Sequence, residues 1–357
     1  MTLARLLATL VAFALVAIAC GGDDTTSEPG DAATPRTVRL LAHDSFAVSD
    51  DVLDGFTADT GIAVEILRGG DAGTVVNQAI LTKDNPTADV LFGVDNTLLS
   101  RTLDEGLFVA YQSPAVADVH GDLALDPEHR VTPIDFGDVC LNYDRDGLAA
   151  TGIDPPQGLA DLVKPEFSGK LVVQDPATSS PGLAFLLATI GTYGEDGDYT
   201  WRDYWADLVA NDVLVTSGWE EAYYGAFSGG SGEGSRPIVV SYASSPPAEV
   251  IFTDPPPEIA PTVSIPDGCF RQIEFAGILN GTENEAEARL LIDFMLSQAF
   301  QDDIPLNMFV FPALTTAVVP PVFLDNTTIP DQPVVVSPGE ISANRERWIQ
   351  EWTDVMR

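Results

Sequence analysis

Apolar and polar positions along this chain alternate between strand-like runs and stretches of helical period. Thr37 to Ala42 alternates and then runs apolar, the pattern of a buried strand, and ends at His43-Asp44-Ser45-Phe46. A helix is predicted from Ser49 to Thr60 and a second strand from Ala63 to Leu67. The Gly69-Gly70-Asp71-Ala72-Gly73 turn then leads into a helix through Leu81, and Ala88 to Phe92 reads as a third strand. Such alternation predicts an α/β fold, a parallel sheet with helices on its faces. Sheets of this kind bind ligands beyond the carboxyl ends of their strands, which is where Asp44, Ser45 and Asp71 fall.

From Ile134 to Tyr143 the chain is extended again, and a second series follows. Its strands are Lys170 to Val173, Val213 to Val215 and Ile238 to Ser241, and its helices are Pro181 to Ile190 and Trp219 to Phe227. Gly229 to Gly234 reads as a flexible surface spacer, because no strand-to-helix phosphate motif follows it. Cys269 to Gly277 is strand-like and leads into a helix from Asn284 to Ser297. The economical topology has the chain leave a first domain near Ile134, build a second, and return near Cys269, so that two crossover strands form a hinge. The expected division is residues 37–137 with 272–312, residues 138–271, and a C-terminal segment over 313–357. In that segment Ser337-Pro338-Gly339-Glu340 has the form of a capping box, and the helix after it aligns Ile341, Trp348, Trp352 and Val355 on one apolar stripe. Trp348 and Trp352, like Trp201 and Trp205, are therefore expected to be core anchors.

Ahead of these series, residues 1–19 have a charged start, an apolar run from Leu6 to Ala19 too short to span a membrane, and a small residue before Cys20. That is the layout of a secretory signal. Ala17-Ile18-Ala19-Cys20 resembles a lipobox, which makes Cys20 the expected lipid-bearing first residue of the mature chain; an ordinary signal peptide with a chance cysteine is the alternative. Residues 20–36 are almost free of apolar side chains and read as a flexible leash. The remainder is long enough for about two domains, and 45% hydrophobic residues across the chain are enough for real cores. Acidic residues number 54 against 17 basic ones, a net charge of -37, which makes nucleic acid an improbable partner. With Cys20 lipidated, Cys140 and Cys269 remain as a pair. A disulfide is the economical assignment in an oxidising compartment, a free buried thiol pair the alternative. No C-x-x-C spacing or Cys/His cluster supports zinc, and no cofactor is expected.

Two serine clusters stand directly before prolines, Thr178-Ser179-Ser180-Pro181 and Ser244-Ser245-Pro246-Pro247. Serine at the cap and proline in the first turn start a helix whose free N–H groups and positive dipole end can hold an anion or a hydroxyl. Between them lies Gly218-Trp219-Glu220-Glu221-Ala222-Tyr223-Tyr224, and Tyr242 precedes the second. Aromatic faces attract cations, and Asp44 or Asp71 could supply the countercharge. The combination points to a ligand with a fixed positive charge, an aromatic ring and a polar or phosphorylated tail.

The whole ordered series resembles the thiamine-binding extracytoplasmic proteins of bacterial ABC importers. The stretches that carry the resemblance are Asp44-Ser45-Phe46, Ala88-Asp89-Val90 with Gly93-Val94-Asp95-Asn96, Gln174 through Gly182, Gly218 through Tyr223, Ser241 through Pro246, and Ile304-Pro305 with Phe311-Pro312. The resemblance implies a periplasmic-binding-protein fold of the two-crossover type, two doubly wound lobes closing over thiamine, its monophosphate or its diphosphate. It also implies a monomer that hands its ligand to a membrane permease and does no chemistry on it. Carried over position by position, it makes Asp71, Ala72, Ser179, Ser180, Trp219, Tyr242, Ala243, Ser244 and Ser245 ligand contacts, with Asp44, Ser45, Tyr223 and Phe309 beside them. His43, Asp50, Ala248 and Phe309 depart from the tyrosines and tryptophans of relatives.

Two other functions fit parts of the pattern. A thiaminase-like enzyme on the same fold would need Cys140 as nucleophile, with Asp138 near it. A ferric-ion-binding importer component would use the Tyr223-Tyr224 pair, although consecutive helical residues point about 100° apart.

Overall fold

The computed structural model describes residues 36–230, 232 and 234–357. The expected signal peptide, Cys20 and nearly all of the leash lie outside the described residues.

The first series forms β1 (Arg36–Ala42), α1 (Asp50–Thr60), β2 (Ile62–Arg68), α2 (Ala72–Leu81), β3 (Val90–Asp95), α3 (Leu99–Asp104) and the short β4 (Phe108–Val109). A long strand β5 (Thr132–Asp144) and a one-turn helix α4 (Arg145–Ala149) follow. The second series is β6 (Leu171–Gln174), α5 (Ser180–Tyr193), α6 (Trp201–Ala210), β7 (Leu214–Thr216), a π-helical segment Glu221–Ala226, β8 (Ile238–Tyr242) and α7 (Pro246–Ile251). The chain returns through β9 (Thr262–Leu279) and ends in α8 (Glu285–Met295), α9 (Gln298–Asn307), β10 (Phe311–Pro312), α10 (Pro321–Asp325) and α11 (Pro338–Val355).

One sheet runs β2-β1-β3-β9-β5-β8-β6-β7. Its two ends, β2-β1-β3 and β8-β6-β7, are parallel trios, as strand–helix alternation requires. The antiparallel pair β5–β9 joins them, with Thr132 opposite Ala276 at one end and Asp144 opposite Thr262 at the other. These are the two crossovers expected near Ile134 and Cys269, although β9 starts seven residues before the predicted Cys269. The early part was missed because Pro266-Asp267-Gly268 interrupts the apolar run, and the ladder jumps there from Ile265 to Phe270. Cys140 and Cys269 lie within that irregularity and are joined by a disulfide, with Cα atoms 4.4 Å apart.

Where the helical expectations differ from the structure, local chemistry explains it. The predicted helix from Trp219 to Phe227 is instead a π-helical turn, marked by Phe227 N–H donating to Ala222 O at 2.9 Å. Helix α9 was not expected because Pro305 sits inside it and removes one backbone donor. At α11 the capping box forms as read, Ser337 and Glu340 bonding reciprocally. Its stripe packs on α6 and α3, with Trp352 edge-on to Trp205 at 5.5 Å. Trp201, Trp205, Trp348 and Trp352 are all buried. Helix α5 is buried from Ser180 to Ile190, so it runs through the core with no solvent face along that length.

Candidate functional site

The carboxyl ends of β1, β2, β6, β7 and β8 open into one cavity of about 740 Å³. That is within the roughly 300–1,000 Å³ usual for small-molecule sites. The wall takes His43 to Ala47 from beyond β1, Gly70 to Ala72 from the start of α2, and Thr178, Ser180 and Pro181 from the start of α5. Ser217 to Glu221 with Tyr223 and Tyr224 come from beyond β7, Tyr242 and Ser245 from beyond β8, and Asn307 to Val310 from the end of α9.

Asp71 is where the two sides of the cavity meet. It caps α2 by accepting from Ala72 N–H at 2.7 Å through Oδ1. Its Oδ2 accepts from Trp219 N–H at 2.8 Å and from the Ser179 hydroxyl at 3.0 Å, both from the opposite side. Burial raises the Asp71 carboxyl above its ordinary range, opposed by the Trp219 N–H, the His43 charge and the Ser179 hydroxyl. The approach is close: a Cβ on Gly73 would stand 2.7 Å from the Thr178 carbonyl, and one on Gly218 would stand 3.0 Å from Asp71. Farther out, Ser45 Oγ donates to Glu220 at 3.3 Å. Arg68 ties the Asp44 and Phe46 carbonyls at 2.7 and 2.8 Å, and Asp44 accepts from Gly70 N–H at 3.0 Å.

The aromatic side of the wall is built on the π-helical turn. Trp219 stacks on Tyr223 at 4.9 Å and meets Tyr224 edge-on at 5.5 Å. Its Nε1–H donates to Ser241 Oγ at 2.9 Å, and that hydroxyl bonds Ser245 Oγ at 2.7 Å. Tyr242 reaches Gln272 at 3.2 Å through its hydroxyl, and a side chain at Gly137 would strike its ring. Phe309 holds a left-handed backbone, φ 55°, which L-residues adopt at a cost and which cavity-lining positions often show. Its ring meets Phe252 edge-on at 5.6 Å.

Of the residues expected to contact a ligand, Asp44, Ser45, Asp71, Ala72, Ser180, Trp219, Tyr223, Tyr242, Ser245 and Phe309 line the cavity. Ser179, Ala243 and Ser244 are not on its wall, and each meets a partner the fold supplies. Ser179 turns to Asp71, Ser244 donates to the Phe309 carbonyl at 2.7 Å, and Ala243 packs on the Cys140–Cys269 disulfide. The sequence reading passed over Gln272 and Glu274. Their signal was two polar residues at period two leading into the apolar run from Phe275 to Leu279, which puts both on one face.

The chemistry the rival functions need is not assembled here. Cys140 is buried in its disulfide and stands outside the cavity wall, so it offers no thiolate. The Tyr223 hydroxyl is buried and donates to Glu249 at 2.7 Å, while Tyr224 is 51% exposed and turned 86° from it. Among the described residues no three His, Cys, Asp or Glu groups gather as a metal site.

Residues 85–330 match the family described as bacterial extracellular solute-binding protein. The chain is 30% identical over 317 residues to the thiamine-binding periplasmic protein of Escherichia coli K12, covering 88% of this chain and 91% of that one. It is 29% identical to the protein of the same name from Brucella suis, again over 88% and 91%. A solved periplasmic thiamin-binding protein superposes with a TM-score of 0.78 at 28% identity, covering 90% of this chain and 96% of that one.

Proposed function

Because the chain belongs to the bacterial extracellular solute-binding proteins, we propose that it captures thiamine outside the cytoplasm and delivers it to an ABC importer. The ligand enters the 740 Å³ cavity between two lobes, residues 37–137 with 272–312 on one side and 138–271 on the other. The protein performs no reaction on it. A lipid on Cys20 keeps the receptor at the membrane, and the segment to residue 36 gives it reach.

The observation that carries this reading is the make-up of the wall. Trp219, Tyr224, Tyr242 and Phe309 surround a space that also holds Asp44, Glu220, Glu221 and Glu274. Ring faces with carboxylates suit a heteroaromatic cation, and a desolvated cation over such a ring gains up to about 2 kcal/mol. The relatives named above carry thiamine in their names and cover nearly the whole chain. The balance of charge also ranks the possible ligands. Among the described residues Arg68 is the only Arg or Lys on the wall, and its guanidinium is bonded to backbone carbonyls, so unesterified thiamine fits better than its diphosphate. Closure sets Asp71 against Ser179 and Trp219, and the closed form is the one the permease receives.

Native mass spectrometry of the chain from residue 36 onward, with thiamine, its monophosphate and its diphosphate, tests this. The expected result is a retained adduct of unaltered thiamine mass, strongest for the unesterified form. Absence of every adduct would sink the reading, and cleaved thiamine on the protein would make it an enzyme.

A further inference from the structure

The floor of the cavity carries more acid than its hydrogen bonds satisfy. Strands β3, β9 and β5 set Asp95 opposite Glu274 and Glu274 opposite Asp135. Directly opposed residues on neighbouring strands share a face, with Cβ atoms about 5 Å apart. Asp95 and Asp135 are fully buried and Glu274 is 7% exposed. Asp95 Oδ1 accepts from the Thr97 N–H and hydroxyl at 2.8 and 2.6 Å and the Ser180 hydroxyl also acts on this carboxyl, but neither oxygen of Asp135 meets an N–H or hydroxyl. His43 completes the group, its Nε2 standing 3.4 Å from Glu274 Oε1 with no other partner. Of the four, only His43 and Glu274 reach the cavity.

Three adjoining buried carboxylates cannot all be charged at once. Burial, then the charge and hydrogen bond of Glu274, holds Asp135 well above the usual carboxylate range, so Asp135 keeps a proton. Burial pushes Asp95 to about 6. Burial by itself would lower His43, but Glu274 and Asp71 outweigh it and raise the imidazole above its ordinary value, with Arg68 acting against them. The remaining groups facing the row are the Tyr242 phenol, which feels Glu274, Asp71 and Asp95, and Arg345 of α11, which acts on Asp95. Glu274 is therefore the point where the row can take up positive charge from the cavity, and His43 already offers one there.

We infer that Glu274, flanked by Asp95 and Asp135, is a cation subsite in which the positively charged nitrogen of a compact organic monocation takes the place of the proton on His43. This rests on the reading of the cavity as a thiamine site. The exchange balances: one cation enters, the proton on Nε2 leaves to solvent, and no covalent bond besides that N–H is broken. Its direction with pH follows. Below the His43 midpoint the imidazolium occupies Glu274 and the ligand must expel a proton. Above it the imidazole is neutral. Affinity thus climbs with pH by up to about tenfold per unit below the midpoint and levels off above it.

Two measurements decide the matter. In ligand-free protein, NMR titration of the His43 ring should give a midpoint above the ordinary imidazole value, falling in Glu274→Gln; a midpoint unmoved by that substitution overturns the pairing. Calorimetry of thiamine binding at pH 5.5 and 7.5, in buffers of different ionisation enthalpy, should show proton release at the lower pH. That release should vanish in His43→Gln, and Glu274→Gln should weaken binding at least tenfold. Binding without proton release, or a pH slope that survives His43→Gln, overturns the subsite. Absence of any thiamine heat in the wild type instead defeats the functional reading, and the NMR result alone then decides the row.

Discussion

Thr178-Ser179-Ser180-Pro181 and Ser244-Ser245-Pro246-Pro247 are one device in the sequence, a serine pair ahead of proline, and the fold uses them differently. The first opens the 14-residue α5, shows Ser180 to the cavity, and sends Ser179 across it to Asp71. The second opens the six-residue α7, and its hydroxyls go one to each side, Ser245 to its own wall and Ser244 across to the segment after α9. Ser244 holds the Phe309 carbonyl, while Ser245 bonds Ser241 and accepts from Tyr242 N–H at 3.2 Å. Trp219 touches both systems, its backbone N–H on Asp71 and its ring N–H on Ser241. A hydroxyl at a helix start is thus free for a ligand only where the surrounding strands bring it no partner. Both starts reach across the cavity, the first to the Asp71 carboxylate and the second to the Phe309 backbone, and the second also holds the aromatic wall in place through Ser245.

The strongest way to break this contrast is Asp71→Ala. It removes the cap of α2 and leaves Ser179 and the Trp219 N–H without their acceptor, so stability should fall by about 2–3 kcal/mol and thiamine affinity more than tenfold. Thermal unfolding and calorimetry measure the two. Trp219→Ala comes next, weakening binding more than tenfold while the fold survives. Trp219→Phe keeps the backbone bond to Asp71 and loses only the ring N–H to Ser241, and should recover most of that loss; equal affinity for the two variants would show that the ring plays no part.

Gly73→Ala sharpens the comparison from the closure side. Alanine in a helix is favoured over glycine by about 1 kcal/mol, yet this Cβ would meet the Thr178 carbonyl at 2.7 Å. Ligand-free unfolding temperature should hold or rise while thiamine affinity drops several-fold, and unchanged affinity would mean the two sides need not approach this closely. The smallest effects separate the serines themselves. Ser244→Ala should cost about 1 kcal/mol of stability through its bond to Phe309, whereas Ser179→Ala should show mainly as a faster ligand off-rate in stopped-flow measurements.

Much of the architecture was legible because its signals are local. The apolar run of Thr37 to Ala42, the Gly69–Gly73 turn and the Ser337–Glu340 capping box each encode their element within a few residues. The π-helical turn and α9 were not legible, since a hydrogen bond shifted by one residue and a tolerated Pro305 both depend on what packs around them. At the site, Trp219, Tyr242 and Asp71 could be named from residue type. Glu274 could not be ranked, because its meaning comes from Asp95 and Asp135, 179 and 139 positions earlier in the chain.

By itself, then, the sequence determined the periodicities, the two α/β series, the long crossovers and the excess of acid, all of which follow from side-chain type and spacing. Tertiary structure decided which polar groups meet. Strand order placed Ser179 on Asp71 instead of in the cavity, gave Ser244 a backbone carbonyl to hold, and lined three carboxylates beside His43. The physical reason is that a buried polar group must find a partner, and in a sheet whose neighbours lie far apart in the chain that partner is set by register and not by proximity in sequence.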